Sequence, residues 1–189
     1  MNADLLVYQA KGFYNAYIAL DQLSRDDSDT LLLLFAPLVV NGAFSVELAL
    51  KAILAKNQIE YGKEHNLLIL FQMLPKSFQQ ELWAYLIEKA PEYAGSEKGL
   101  DELILLSNAF VDWRYAFEGK PVPAIESRFL AAFANAAVHT MFSYYNADLL
   151  PATKTESNNE IEQRFHENRE KCKEINLKMI QKKTKEHQL

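Results

Sequence analysis

The chain has 189 residues, 49% of them hydrophobic and 24% charged, with only 6 Gly and 6 Pro, so it holds material for one core plus an extension and too little Gly and Pro for a collagen-like or low-complexity chain. The single cysteine, Cys172, excludes an intramolecular disulfide framework and any zinc site built on Cys pairs. A formal charge of −5 argues against non-specific coating of nucleic acid, which draws on a surplus of Lys and Arg but leaves a local basic patch allowed. The opening MNADLLVYQAKG lacks the basic start and long apolar run of a signal peptide. The longest apolar run, Leu31 to Val40, is interrupted by Pro37 and falls short of the ~20 residues a spanning helix needs. The sequence therefore reads as a soluble, cytoplasmic protein without a membrane partner.

Apolar spacing predicts helix in every segment. Leu6, Ala10, Phe13, Tyr17 and Leu20 recur at steps of four and three, forming one stripe of a helix from about Asp4 to Leu23, which the polar run Ser24 to Thr30 ends. Pro37 suits a first helical turn, and Val39, Ala43, Val46, Leu50 and Ile53 continue a second helix to about Lys56, with Gly42 placed to permit close helix contact. After the turn NQIEYGKEHN, the residues Leu67, Leu70, Phe71 and Leu74 form a short helix stopped at Pro75. Ser77 and Gln80 have capping-box spacing and open a helix carrying Phe78, Leu82, Tyr85 and Leu86, closed by Pro91 and Gly95. The next stripe, Leu103, Leu106, Phe110, Trp113 and Phe117, reads as one continuous helix broken by GKPVP at 119–123. A last long helix, from about Ala124 to Tyr145, offers Leu130, Phe133, Ala137, Met141 and Tyr144.

No segment alternates with a period of two, so a sheet is not expected. The predicted fold is all-α, an up-and-down bundle of four long helices with a short helical insertion and an additional C-terminal helix. Two parts are predicted: residues 1–150 as the bundle, and 151–189 as a polar linker and an amphipathic helix. Residues 154–189 hold 9 Lys or Arg against 7 Glu, while residues 1–153 hold 11 basic against 18 acidic side chains, so the two parts carry opposite net charge. In the tail, Ser157 and Glu160 again have capping-box spacing, and Ile161, Phe165, Asn168, Cys172, Ile175 and Met179 follow a four-three stripe. That stripe is too short for a free coiled coil and suits docking on a bundle or on a second copy, with an exposed, solvated helix as the alternative.

The chain lacks a Gly-rich phosphate loop, a G-x-S-x-G elbow, an H-E-x-x-H pair and a Glu-x-x-His pair of the di-iron type. Its four His residues are scattered, and no metal or cofactor is expected. What stands out is a set of polar residues beside apolar stripes. Glu47 flanks the buried face of its helix and Arg114 flanks the corresponding face of another, so the two can pair across helices. The alternative pairs Glu47 with Lys51 and Arg114 with Glu118, each at i,i+4 on an ordinary surface. His65 lies where a loop turns into a helix; His65 or Asn66 caps that helix, leaving the imidazole for a backbone carbonyl. His139 reads as a packed histidine or as a neighbour of Arg114. The candidate polar site is therefore Glu47, Lys51, His65, Arg114, Tyr115, Glu118 and His139. Tyr14, Tyr115 and Tyr145 are base-stacking candidates only where exposed.

The order SVELALKAIL, YGKEHNLLILFQMLP and FVDWRYAFE, carried between helices over roughly residues 4 to 146, resembles the HEPN domain superfamily of small helical bundles, found in prokaryotic defence and toxin–antitoxin systems and in some eukaryotic proteins. The resemblance implies, for many members, a metal-independent endoribonuclease built on an Arg followed after four to six residues by a His, near the two-fold axis of a dimer. Arg114 matches that Arg. The positions where the His belongs are Gly119, Lys120 and Pro121, and Tyr115 stands where a polar residue follows the Arg. The resemblance also implies members that bind nucleotides or RNA, or regulate a partner, without cutting. The expectation is thus a homodimeric nucleotide- or RNA-associated regulatory or defence module without nuclease activity. Two readings stand beside it: a ribonuclease using Arg114 with Glu118 or His139, and a non-enzymatic scaffold for a protein, such as a toxin, encoded by a neighbouring gene.

Overall fold

A computed structural model describes residues 3–25, 28–94, 97–115, 118, 122–145 and 170, the side chains of 28–32 excepted. The chain divides into two compact units, Met1–Ala147 and Asp148–Leu189. The linker and stripe expected over 151–189 lie outside the described residues apart from Glu170, which is helical. Among the described residues every regular element is a helix.

α1 (Ala3–Ser24) and α2 (Ser28–Lys56) pack most extensively against each other, and α2 also meets α3 (Leu67–Met73), α6 (Ala109–Arg114) and α7 (Ser127–Tyr145). α4 (Lys76–Lys89) lies on α7 and leads through a 3-10 turn, Pro91–Tyr93, to α5 (Glu97–Leu106). α2 is the centre because its stripe is apolar on nearly all sides: Val39, Ala43, Val46, Leu50 and Ile53 have no measurable exposure. The α1 stripe buries Leu6, Ala10 and Tyr17, and the α7 stripe buries Leu130, Phe133, Ala137 and Met141. At Gly42, a Cβ would stand 3.0 Å from Tyr17 Cδ2 and 3.1 Å from Leu130 Cδ1, so the missing side chain lets α1, α2 and α7 meet.

Four expectations need correction. Pro37 does not open α2, which begins nine residues earlier at Ser28. Proline removes the donor to the carbonyl of residue 33, yet Pro37 is exposed and Leu33 is 78% exposed, so the lost bond lies on the solvent side of the helix. Because the helix continues through Pro37, Leu33–Lys56 is long and apolar enough, by length and composition alone, to cross a membrane; 56% of an apolar 18-residue stretch of it is buried inside the protein. The capping box at Ser77 and Gln80 does not form. α4 starts at Lys76 with Pro75 as its N-cap residue, and Gln79 instead donates through Nε2 to the carbonyls of Leu74 (2.7 Å) and Gln72 (3.1 Å), closing the end of α3. The Phe110 stripe is two helices, α5 and α6, separated at Ser107 and Asn108, so the fourth long helix is α4. α7 starts at Ser127 because residues 122–126 are non-helical.

Candidate functional site

Glu47 and Lys51 lie one turn apart on α2 and are 1% and 8% exposed. Lys51 Nζ donates to Glu47 Oε1 at 2.6 Å. The i,i+4 pair expected on the surface thus forms inside the protein, where a lone charge is costly and a partnered one is tolerated. The Lys51 ammonium also stands 5.4 Å from the centre of the Tyr61 ring. Burial, and after it the negative charge of Glu47, raises the Tyr61 phenol above its ordinary range.

The loop after α2 brings a third member to this pair. Ile59 N donates to Leu54 O at 2.9 Å, and Gln58 and Gly62 take positive φ (58° and 56°), turning the chain back along the helix. Glu64 Oε1 accepts from the backbone N–H of His65 (2.9 Å) and Asn66 (2.7 Å), and Asn66 Oδ1 caps α3 by accepting from Ile69 N at 3.0 Å. The break between α5 and α6 completes the mooring. Leu67 N donates to Ser107 O at 2.8 Å, and Asn66 Nδ2 donates to Asn108 Oδ1 at 3.1 Å. With Asn66 as the cap, His65 does not seek a backbone carbonyl: its Nδ1 lies 2.9 Å from Glu47 Oε1.

This contact assigns the imidazole tautomer. A carboxylate accepts and cannot donate, so Nδ1 carries the hydrogen and, in the neutral ring, Nε2 keeps the lone pair. The His65 side chain is 50% exposed while its Glu47 partner is 1% exposed. Glu47 Oε2 is buried without a hydrogen-bond partner among the described residues, so both donors share Oε1.

Arg114 ends α6, which a run of aromatic rings holds on α2. Phe110 stacks on Phe44 (4.2 Å between centres, 13°), Phe44 meets Phe13 of α1 edge-on at 4.6 Å, and Trp113 meets Phe35 edge-on at 5.0 Å. The exposed Arg114 guanidinium lies 4.8 Å from the Phe110 ring centre and 4.7 Å from that of Tyr115, and its Nη2 donates to the Tyr115 hydroxyl at 3.0 Å. The cross-helix pair of Glu47 with Arg114 therefore does not form: the carboxylate is taken by Lys51 and His65, and the guanidinium is held over aromatic faces. The two groups are nonetheless linked through Phe110, whose ring centre lies 6.4 Å from that of His65.

The other candidates separate. Glu118 is exposed beyond α6, its N–H bonded to Tyr115 O at 2.9 Å. His139 is exposed on α7 and stacks flat on Tyr85 of α4, at 3.8 Å and 14°. Of the stacking candidates, Tyr145 is buried and donates to Ala52 O at 2.9 Å, burial pushing its phenol up to about 12. Tyr14 is half-buried, which raises its phenol, while Tyr115 is 40% exposed. Sequence reasoning missed Tyr61, Glu64, Asn108 and Phe110 as parts of the site. Only Glu64 carries a local signal, a carboxylate placed just before a helix start. No group of three or more His, Cys, Asp or Glu side chains suited to a metal ion occurs among the described residues.

Residues 38–128 match the family model of the HEPN domain, a span that runs from within α2 to the first turn of α7 and contains every candidate residue except His139. No curated protein and no solved structure matches the chain. The matched span carries Glu47 and Lys51 on α2, His65 in the loop before α3 and Arg114 at the end of α6, and over residues 38–128 the chain is similar to the HEPN domain.

Proposed function

We propose that this protein is a homodimeric HEPN module that associates with RNA or a nucleotide in a regulatory or defence role in the cytoplasm, and that it does not cleave RNA. The observation that carries the reading is Arg114, an exposed guanidinium at the end of α6 with Gly119, Lys120 and Pro121 where a His is called for. A guanidinium on an aromatic face is pre-ordered to receive a phosphate through its N–H fork. Cleavage through the ribose 2′-hydroxyl needs proton transfer at both the attacking and the leaving oxygen. His139, named as one partner for such chemistry, is engaged with Tyr85. Dimerisation is supported by the apolar side chains that α5 leaves exposed, Leu100 (46%), Ile104 (51%) and Leu105 (43%).

Incubating full-length protein with single-stranded RNA in EDTA tests the central part. Intact RNA is expected. Metal-independent cleavage that disappears in Arg114→Ala overturns the proposal in favour of a ribonuclease, whereas cleavage that survives the substitution is assigned to contamination.

A further inference from the structure

We infer that His65 and Arg114 form a clamp for one ribose–phosphate unit, in which His65 Nε2 accepts a hydrogen bond from the 2′-hydroxyl while Arg114 donates to the neighbouring phosphate, so that the site selects RNA over DNA. The inference rests on the RNA reading above and names the group that would give it sugar specificity. Three observations converge. First, Glu47 holds Nδ1 at 2.9 Å, which leaves Nε2 as an acceptor on a half-exposed ring. A hydroxyl satisfies that acceptor, and deoxyribose lacks it. Second, His65 and Arg114 flank the same ring, Phe110, at 6.4 Å and 4.8 Å, and Phe110 is itself fixed by stacking on Phe44 at 4.2 Å. The imidazole and the guanidinium thus border one fixed ring. Third, the carboxylates nearest the imidazole are engaged by groups of the protein itself. Glu47 is buried and paired with Lys51, and Glu64 accepts the N–H groups of His65 and Asn66. Each contact is a hydrogen bond, and no bond is made or broken.

Glu47 is a positioning residue here, acting through the imidazole. A Glu–His pair can also be a purely structural tie for the loop at 57–66, and sugar selectivity distinguishes the two roles. Full-length protein is titrated with a short single-stranded oligoribonucleotide and with the deoxyuridine-containing strand of the same sequence, so that the 2′-hydroxyl is the one difference. The expected wild-type preference for the ribo strand is about two- to tenfold, the range of one net hydrogen bond. His65→Ala should remove that preference, and Arg114→Ala should weaken both strands alike. As a readout without mutation, the His65 Nε2 resonance in 15N-labelled wild-type protein should move with the ribo strand and not with the deoxy strand. Equal binding of both strands by the wild type, or a preference that survives His65→Ala, overturns the clamp and leaves RNA association standing. Binding of neither strand overturns both.

Discussion

Glu47 is the most deeply buried charged side chain among the described residues. It is a carboxylate at 1% exposure on the central helix, tied to Lys51 at 2.6 Å and His65 at 2.9 Å. Removing Lys51 leaves the carboxylate with a half-exposed imidazole as its remaining hydrogen-bond partner. Lys51→Ala should therefore destabilise on the order of 3–5 kcal/mol, and replacing both members by apolar residues, Glu47→Leu with Lys51→Met, should recover most of that loss. A chemical-denaturation cycle on Glu47 and Lys51 should show coupling, while the cycle on Glu47 and Arg114 should be additive. Coupling in the second cycle and none in the first would contradict the arrangement described here. Glu47, Lys51 and Arg114 were legible in the sequence because each interrupts or borders a helical stripe. The contact of His65 with Glu47 was not, since it spans eighteen residues and depends on a loop with two positive-φ positions. Periodicity carries no information about such a path.

At the level of elements, the bundle depends on where the helices can approach. Ala at position 42 would press on Tyr17 at 3.0 Å and Leu130 at 3.1 Å, both fully buried, whereas nothing lies within 4 Å of a Cβ at Gly12. Overpacking costs about 1–3 kcal/mol and Gly to Ala in a helix returns about 1 kcal/mol. Gly42→Ala should therefore lower stability by roughly 1 kcal/mol and Gly12→Ala should raise it by about 0.5–1 kcal/mol, a difference in sign that thermal or chemical denaturation resolves. A stabilising Gly42→Ala would show that α1, α2 and α7 are not in close contact there. The existence and type of the helices followed from apolar spacing, and the close approach at Gly42 was read correctly. The break at Ser107 and Asn108 escaped notice for a physical reason. Asn108, at φ −112° and ψ 12°, leaves helical geometry, but the break spans only Ser107 and Asn108, so the three-four spacing from Leu103 to Trp113 runs across it. Pro37 acts in the opposite direction, because a proline on the exposed side of α2 does not end the helix.

For the whole molecule, the proposed dimer has a concrete address. Leu100 borders a cleft of about 630 Å3 lined also by Phe71, Trp83 and Ile87, and Ile104 lies one turn further along α5. Light scattering of the full-length chain should give about twice the 21.7 kDa chain mass, and Leu100→Asp with Ile104→Asp should return it to one chain mass. A monomeric wild type contradicts the dimer and, with it, any site composed across a two-fold axis. The bundle was legible because helical spacing is local, while a surface such as the Phe110 ring between His65 and Arg114 exists only after α3 and α6 have docked on α2. The account stands or falls on RNA association through Arg114. The salt dependence of single-stranded RNA affinity, measured for the full-length wild type and for Arg114→Ala, tests this most directly. The expected result is measurable wild-type binding whose log–log slope against salt falls by about one in the variant, with weaker affinity at every salt concentration. An unchanged slope and affinity in Arg114→Ala, or no binding by the wild type at low salt, would contradict it.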